Sequence, residues 1–329
     1  MRTDNVLGVL RQMFSQSTRA GAVMLFGAPG TGKTALVAQA ATATGKELRT
    51  IALPTCEAVD LRGMPTIVDG QTRWASPLPR EGEGVLLLDE LSSAAPDVQV
   101  AAHHLVWDEA GSDMTLPAGW HIVATGNRAA DRAVHRPMPS PLRNRMTLID
   151  VESDADTWAA WAARNGVHPF IQGFIRWLPG ELTIKDIPDV GAFPSPRAWV
   201  RASNVLNLAI SPAVEQELLA GIVGQASAVK FSAYLATART LPDIEAIMES
   251  PQKAALPGEP SLRYAITCSL AQYTRMRGKS AMKYIERLPA EYAVLYIREI
   301  RDAYDIRGDA GVRAWVGKHV KLFDAGEAL

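Results

Sequence analysis

A lysine and a threonine behind a run of glycines, two adjacent acids closing an apolar stretch, and an asparagine closing another are the residues that could handle a nucleoside triphosphate. The first set is Gly27-Ala28-Pro29-Gly30-Thr31-Gly32-Lys33-Thr34, which fits the G-x-x-x-x-G-K-[ST] phosphate loop. Small residues let the backbone N–H groups from Gly30 to Lys33 converge on phosphate oxygens at the positive end of a helix. Lys33 is then placed for the β- and γ-phosphates, and the Thr34 hydroxyl for Mg²⁺. A plain glycine-rich turn is the other reading of these residues, and the flanks weigh against it. The run from Ala22 to Phe26 reads as a buried strand, and the stretch from Thr34 to Ala41 is rich in strong helix formers.

Four further segments supply what a phosphate loop lacks. Val85-Leu86-Leu87-Leu88-Asp89-Glu90 suits a central parallel strand whose acids surface at its carboxyl end. Asp89 is the candidate Mg²⁺ partner and Glu90 the candidate base for the attacking water, against the alternative of two solubilising acids. The strand-like run from Trp120 to Gly126 ends in Asn127, whose amide could hold a water in line with the γ-phosphate, or could simply be a turn asparagine. Pro141-Leu142-Arg143-Asn144-Arg145 precedes a strand-like stretch from Met146 to Val151. Arginines at that edge would face away from their own nucleotide and could serve a neighbour's. In Ser195-Pro196-Arg197, Ser195 is a good N-cap and Pro196 a good first residue, so Arg197 falls in a first helical turn. A cation there opposes the helix dipole unless an anion lies nearby. An ordinary surface arginine is the alternative.

In order and spacing these five segments resemble the AAA+ ATPases: GAPGTGKT is similar to Walker A, LLLDE to Walker B, ATGN to sensor 1, LRNR to the arginine-finger segment and SPRA to sensor 2. The wording DLRGMP from Asp60, LLLDELSSA from Leu86 and SPRAW from Ser195 is similar to the MoxR-type, dynein-related branch. The resemblance covers residues 5 to about 240 well and the helical tail more loosely. It implies ATP and Mg²⁺ as cofactors, Arg145 as first choice for the finger with Arg143 as alternate, and Arg197 as a lid sensor. It also implies a homo-oligomeric, hexameric ring that remodels or activates a protein client, commonly with a von Willebrand factor A domain partner. Two competing functions stay open: a nucleic-acid motor of the same superclade, and a nucleotide-gated scaffold with little turnover.

These residues must be held by an α/β P-loop core with a parallel five-stranded sheet, followed by an all-α lid and C-terminal helical extension. The expected division is a nucleotide-binding core over 1–151 and a helical part over 152–329. Two inserts are expected in the core. Two β-type runs around Asp69-Gly70 predict a hairpin within about 60–80, and Gly111-Ser112-Asp113 predicts a second within about 106–121. Each could contact a client or be a passive loop. Beyond 151 helices are expected from Asp154, over Pro169–Leu178, Pro212–Arg239 with Gly221 and Gly224 inside it, Pro260–Arg275, Ser280–Tyr304 and Ala310–Phe323. Arg275, Arg277, Lys279 and Lys283 read as a solvated basic face. Trp158, Trp161, Trp177 and Trp199 read as packing residues.

Bulk composition narrows the classes. The chain has 329 residues, 47% of them hydrophobic, and a net charge of −1. That gives no whole-chain attraction for nucleic acid or an anionic membrane. Two cysteines, Cys56 and Cys268, suit a reducing compartment better than a disulfide framework. The N-terminal residues are too polar for a signal peptide and no apolar run reaches the ~20 residues of a span, so a soluble cytoplasmic protein is expected. Adjacent residues such as His103 and His104 do not share a helical face, His135 and His168 lack ligand-like neighbours, and no metal besides Mg²⁺ is expected.

Overall fold

The computed structural model describes residues 1–19, 21–75, 78–107, 116–128 and 136–322. Two compact units divide it: Met1–Asp154 with Lys185–Asp189, and Ala155–Ile184 with Val190 onward. The second unit starts at Ala155, and residues 185–189 group with the first.

In the first unit, chain order runs α1 (Thr3–Phe14), β1 (Ala22–Phe26), α2 (Lys33–Ala43), β2 (Glu47–Ala52), α3 (Ala58–Arg62), β3 (Met64–Val68), β4 (Gln71–Ala75), β5 (Gly84–Asp89), α4 (Pro96–Trp107), β6 (Trp120–Gly126), α5 (Ser140–Asn144) and β7 (Met146–Asp150). Five strands form one sheet in the order β2-β5-β6-β1-β7. Every neighbouring pair in it is parallel. Parallel strands need crossovers and are buried on both faces, which is why β1 and β5 read as apolar runs and β6 as a mostly apolar one. Alternate residues serve opposite faces. Met24, Leu86, Leu88 and Ile122 pack with Leu61, Val98 and Leu105 on the α3–α4 side. Val23, Leu25, Val85, Leu87 and Val123 pack with Val6, Leu10, Leu36 and Val37 of α1 and α2 on the other.

β3 and β4 form a separate antiparallel hairpin, with Val68 opposite Gln71. Its two turn residues, Asp69 (φ 54°) and Gly70 (φ 71°), are both left-handed, as a two-residue type I′ turn demands. The second expected hairpin falls largely on residues 108–115, outside the described residues, as do His135 and Phe323.

The second unit consists of α6 (Ala155–Arg164), α7 (Pro169–Trp177), α8 (Pro196–Leu206), α9 (Pro212–Val223), α10 (Gln225–Ala238), α11 (Ile244–Glu249), α12 (Pro260–Arg277), α13 (Met282–Ile285), α14 (Ala290–Ile300) and α15 (Ala310–Lys318). One core gathers α6 to α10 around Phe174, Trp199, Phe231 and Tyr234. A second gathers α11 to α15 around Tyr284, Tyr292 and Tyr296. α12 joins them, giving Ala265 to the first and Ile266 and Leu270 to the second. Of the four tryptophans expected to pack, Trp158 and Trp199 are buried and Trp161 is partly so. Trp177 stays 39% exposed, stacked on Tyr234.

Three expectations are corrected here. The stretch Pro212–Arg239, whose continuity as one helix Gly221 and Gly224 put in question, is two helices, because Gly224 adopts φ 83°, ψ 154° between α9 and α10. The helix over Ser280–Tyr304 is also two, because Pro289 closes the connection and caps α14. Arg275 is not a solvated basic residue: only 14% of its side chain is exposed, and it donates to Asp302 and to the Glu299 carbonyl. Cys56 and Cys268 are both free thiols, and burial pushes that of Cys268 up to about 12.

Candidate functional site

The site lies where β1, β5 and β6 surface at their carboxyl ends. β6 stands between β5 and β1, so residues leaving it face both the acids and the glycine loop. That loop joins β1 to α2, and its last residue, Gly32, is the N-cap of α2 at φ 90°. The following helix thus presents its unsatisfied N–H groups and positive dipole end to whatever the loop holds. Lys33 opens that helix. Its ammonium donates to the Gly27 carbonyl at 2.7 Å, the Ala28 carbonyl at 3.1 Å and Asn127 Oδ1 at 3.2 Å. Thr31 is buried and donates to the Ala28 carbonyl at 2.9 Å, bracing the loop from within.

Opposite the loop, Asp89 accepts from the Thr34 hydroxyl at 2.9 Å, and its same oxygen accepts from the Thr125 hydroxyl. Thr34 and Asp89 thus form a pair of hard oxygen donors. Such donors suit Mg²⁺, which binds few protein ligands and keeps waters and substrate phosphates in its shell. Glu90 follows at φ 58°, ψ 38°, a left-handed conformation that a residue with a Cβ adopts at a cost. Its N–H donates to Thr125 Oγ1 at 3.0 Å, and its side chain is exposed. A carboxylate there could accept a proton from water. Asn127 receives support too, because its N–H donates to Ser92 Oγ at 2.9 Å. Gly126 leaves room for this: a Cβ on it would lie 2.5 Å from Met24 Cε and 2.7 Å from Ser92 Oγ.

Residues 22–146 match the AAA domain of the dynein-related subfamily. No curated protein matches the chain. The AAA match supports nucleotide binding and ATPase activity in general terms, with Mg²⁺ typical of the family. It takes in the loop, Asp89, Glu90, Asn127, Arg143 and Arg145, and stops short of Arg197.

The remaining candidates come from other elements. Arg143 is exposed in the last turn of α5, and Arg145 is its C-cap, bonded to the Pro141 carbonyl at 3.0 Å. Met146 pairs with Ala22 at the start of β1, whereas the loop follows Phe26 at its end. The strand alone separates them by about 13 Å. The two arginines are therefore at the opposite end of the sheet from the loop of their own chain. Arg197 lies in the second unit, exposed in the first turn of α8, where Ser195 caps the helix by accepting from the Ala198 N–H at 3.2 Å. Sequence reasoning missed Ser92 and Thr125. The available signal was a hydroxyl residue in each apolar strand-end segment, which reads as ordinary until both prove to be almost fully buried.

Among the described residues, no group of three or more His, Cys, Asp or Glu side chains could hold a metal, and no helix is long and apolar enough to cross a membrane.

Proposed function

We propose that the chain hydrolyses Mg²⁺-ATP as a homo-oligomeric, hexameric ring that remodels or activates a protein client, in the manner of MoxR-like ATPases with a von Willebrand factor A domain partner. One observation carries the hydrolytic part: Thr34 at the loop and Asp89 at the strand end are hydrogen-bonded at 2.9 Å, while Lys33 reaches Asn127 at 3.2 Å. Phosphate, metal and water-handling chemistry thus converge on one spot. In this reading the backbone N–H groups from Gly30 to Lys33, through Thr31 and Gly32, cradle the phosphates, with Gly27, Ala28 and Pro29 shaping the turn. Thr34 and Asp89 hold Mg²⁺, which when bound draws charge from the phosphate oxygens. Glu90 takes the proton from water and Asn127 orients that water.

Arg145, with Arg143 as alternate, would serve the nucleotide of the next subunit, a reading supported by their position at the far end of β1. Arg197 is assigned γ-phosphate sensing on its chemistry alone, as an exposed cation in a first turn. Support for a protein client comes from the hairpin, where Met64 is 67% and Ile67 83% exposed. Its aromatic residue is engaged, since Arg62 lies over the Trp74 ring at 5.3 Å. That leaves little for stacking bases.

ATP turnover measured with and without single- and double-stranded DNA tests the choice of client. A rate unmoved by DNA, together with one dominant protein captured by ATP-loaded Glu90→Gln, is expected. Strong stimulation by DNA, or recovery of nucleic acid, would overturn it in favour of a motor.

A further inference from the structure

Two reciprocal hydrogen bonds cross between the ends of β5 and β6. Glu90 N–H donates to the side chain of Thr125, and Asn127 N–H donates to the side chain of Ser92. Thr125 is the more heavily used of the two hydroxyls. It stands on the strand between the Asp89 strand and the loop strand, and it is 1% exposed. Its single proton goes to Asp89 Oδ1 and its lone pair receives Glu90 N–H. Both directions of the hydroxyl are thereby fixed.

Glu90 is one of two non-glycine residues with positive φ among those described, the other being the hairpin turn residue Asp69. A side chain held in that region persists only where its surroundings over-determine it, and such positions gather at functional sites. Here the surroundings are explicit. Thr125 holds the Glu90 N–H on one side, and Ser93 N–H donates to the Glu90 carbonyl at 2.9 Å on the other. With the Glu90 backbone pinned, its Cα–Cβ bond leaves in one direction, which limits where its carboxylate can reach.

We propose that Thr125 is a positioning residue that sets the two adjacent acids at once, aiming Asp89 at the metal and holding Glu90 in the left-handed conformation that presents it to water. This rests on the ATPase reading above. Removing the hydroxyl leaves Glu90 N–H without its partner and frees the backbone to relax toward the right-handed region. The carboxylate would then swing away while the phosphate loop stays intact. A misplacement of about 1 Å at such a group is enough for a rate loss on the order of 100-fold.

The test compares wild type, Thr125→Val and Thr125→Ser in the full chain, reading kcat and KM for ATP, fluorescent-ADP affinity with and without Mg²⁺, and thermal melting. Thr125→Val is expected to lose about 30- to 100-fold in kcat with KM within about threefold. Its gain in ADP affinity on adding Mg²⁺ is expected to shrink several-fold. Thr125→Ser keeps the hydroxyl and is expected within about threefold of wild type on every measure. Should the valine variant not fold, Thr125→Ala carries the same expectation. A folded Val or Ala variant with wild-type kcat overturns the proposal, and so does a Ser variant as impaired as Val. If wild type shows no turnover, the ATPase reading fails instead, and an unchanged Mg²⁺ effect on ADP binding in Thr125→Val would then overturn the role of Thr125 separately.

Discussion

Lys33 shows how a single side chain can be both structural and chemical. Its ammonium ties two loop carbonyls to Asn127, so it connects the glycine loop to the end of β6. Replacing it with alanine removes the charge that phosphates would meet, and nucleotide affinity should fall by at least about 100-fold in a binding titration, since charge-assisted contacts are the strong ones. Affinity within about threefold of wild type would count against the phosphate role. Gly126 gives a second test. An added methyl would meet Met24 and Ser92 well inside contact distance, so Gly126→Ala should cost about 1–3 kcal/mol in urea unfolding and disturb Asn127 through Ser92. Lys33, Thr34, Asp89, Glu90 and Asn127 were legible in the sequence because each chemistry demands its residue type at its spacing. Ser92 and Thr125 were not, because a hydroxyl in a strand or in the turn that follows one carries no signal until its partner across the sheet is known.

At the level of elements, the strands were the easier half. Unbroken apolar runs ending in polar residues follow from parallel pairing with both faces covered, and Asp69-Gly70 named its own hairpin. Helix breaks were harder: Gly221 and Gly224 both weakened the case for one continuous helix, and only the structure shows that Gly224 ends it, at φ 83° and against Ala192. A Cβ on Gly224 would lie 2.6 Å from the Ala192 carbonyl oxygen, at a φ unfavourable to side chains. Gly224→Ala should therefore destabilise by roughly 2 kcal/mol or more, read from the urea midpoint. His168 offers a pH test at the N-cap of α7, where its Nδ1 accepts from the Phe170 N–H at 3.2 Å. Burial chiefly, and then the nearby Arg239, lower its pKa to about 4, with Glu215 opposing. A histidine kept neutral in the fold is protonated first in the unfolded chain. Its contribution is thus whole above about pH 6.5 and is lost as pH falls toward 4. The melting temperature should drop over that window, and His168→Asn, which retains a capping acceptor, should reduce the drop. An identical pH profile in both proteins would contradict this.

On the scale of the whole molecule, the proposed ring would make the site a property of two chains, with Arg143 and Arg145 at the far end of β1 from their own loop. Arg145→Ala should be inactive alone, and so should Glu90→Gln. Mixed in equal amounts, they should regain activity, because a fourth of head-to-tail interfaces on the order of random mixing would pair an intact base with an intact finger. Failure to complement would mean that the arginine acts within its own chain or not at all. Loss in Arg143→Ala but not in Arg145→Ala would move the finger to the alternate. The parallel core, with its loop and acids, could be read from sequence because phosphate chemistry and sheet burial both constrain it. The helical unit could be read only as a succession of helices, since its two cores depend on contacts such as Phe174 with Phe231 that no local pattern encodes. The most direct test of the account is steady-state ATP hydrolysis by the intact chain and by Glu90→Gln with saturating Mg²⁺. Wild type is expected to turn over, and Glu90→Gln to bind nucleotide comparably yet hydrolyse it about 100-fold or more slowly. Equal rates in the two proteins would contradict it.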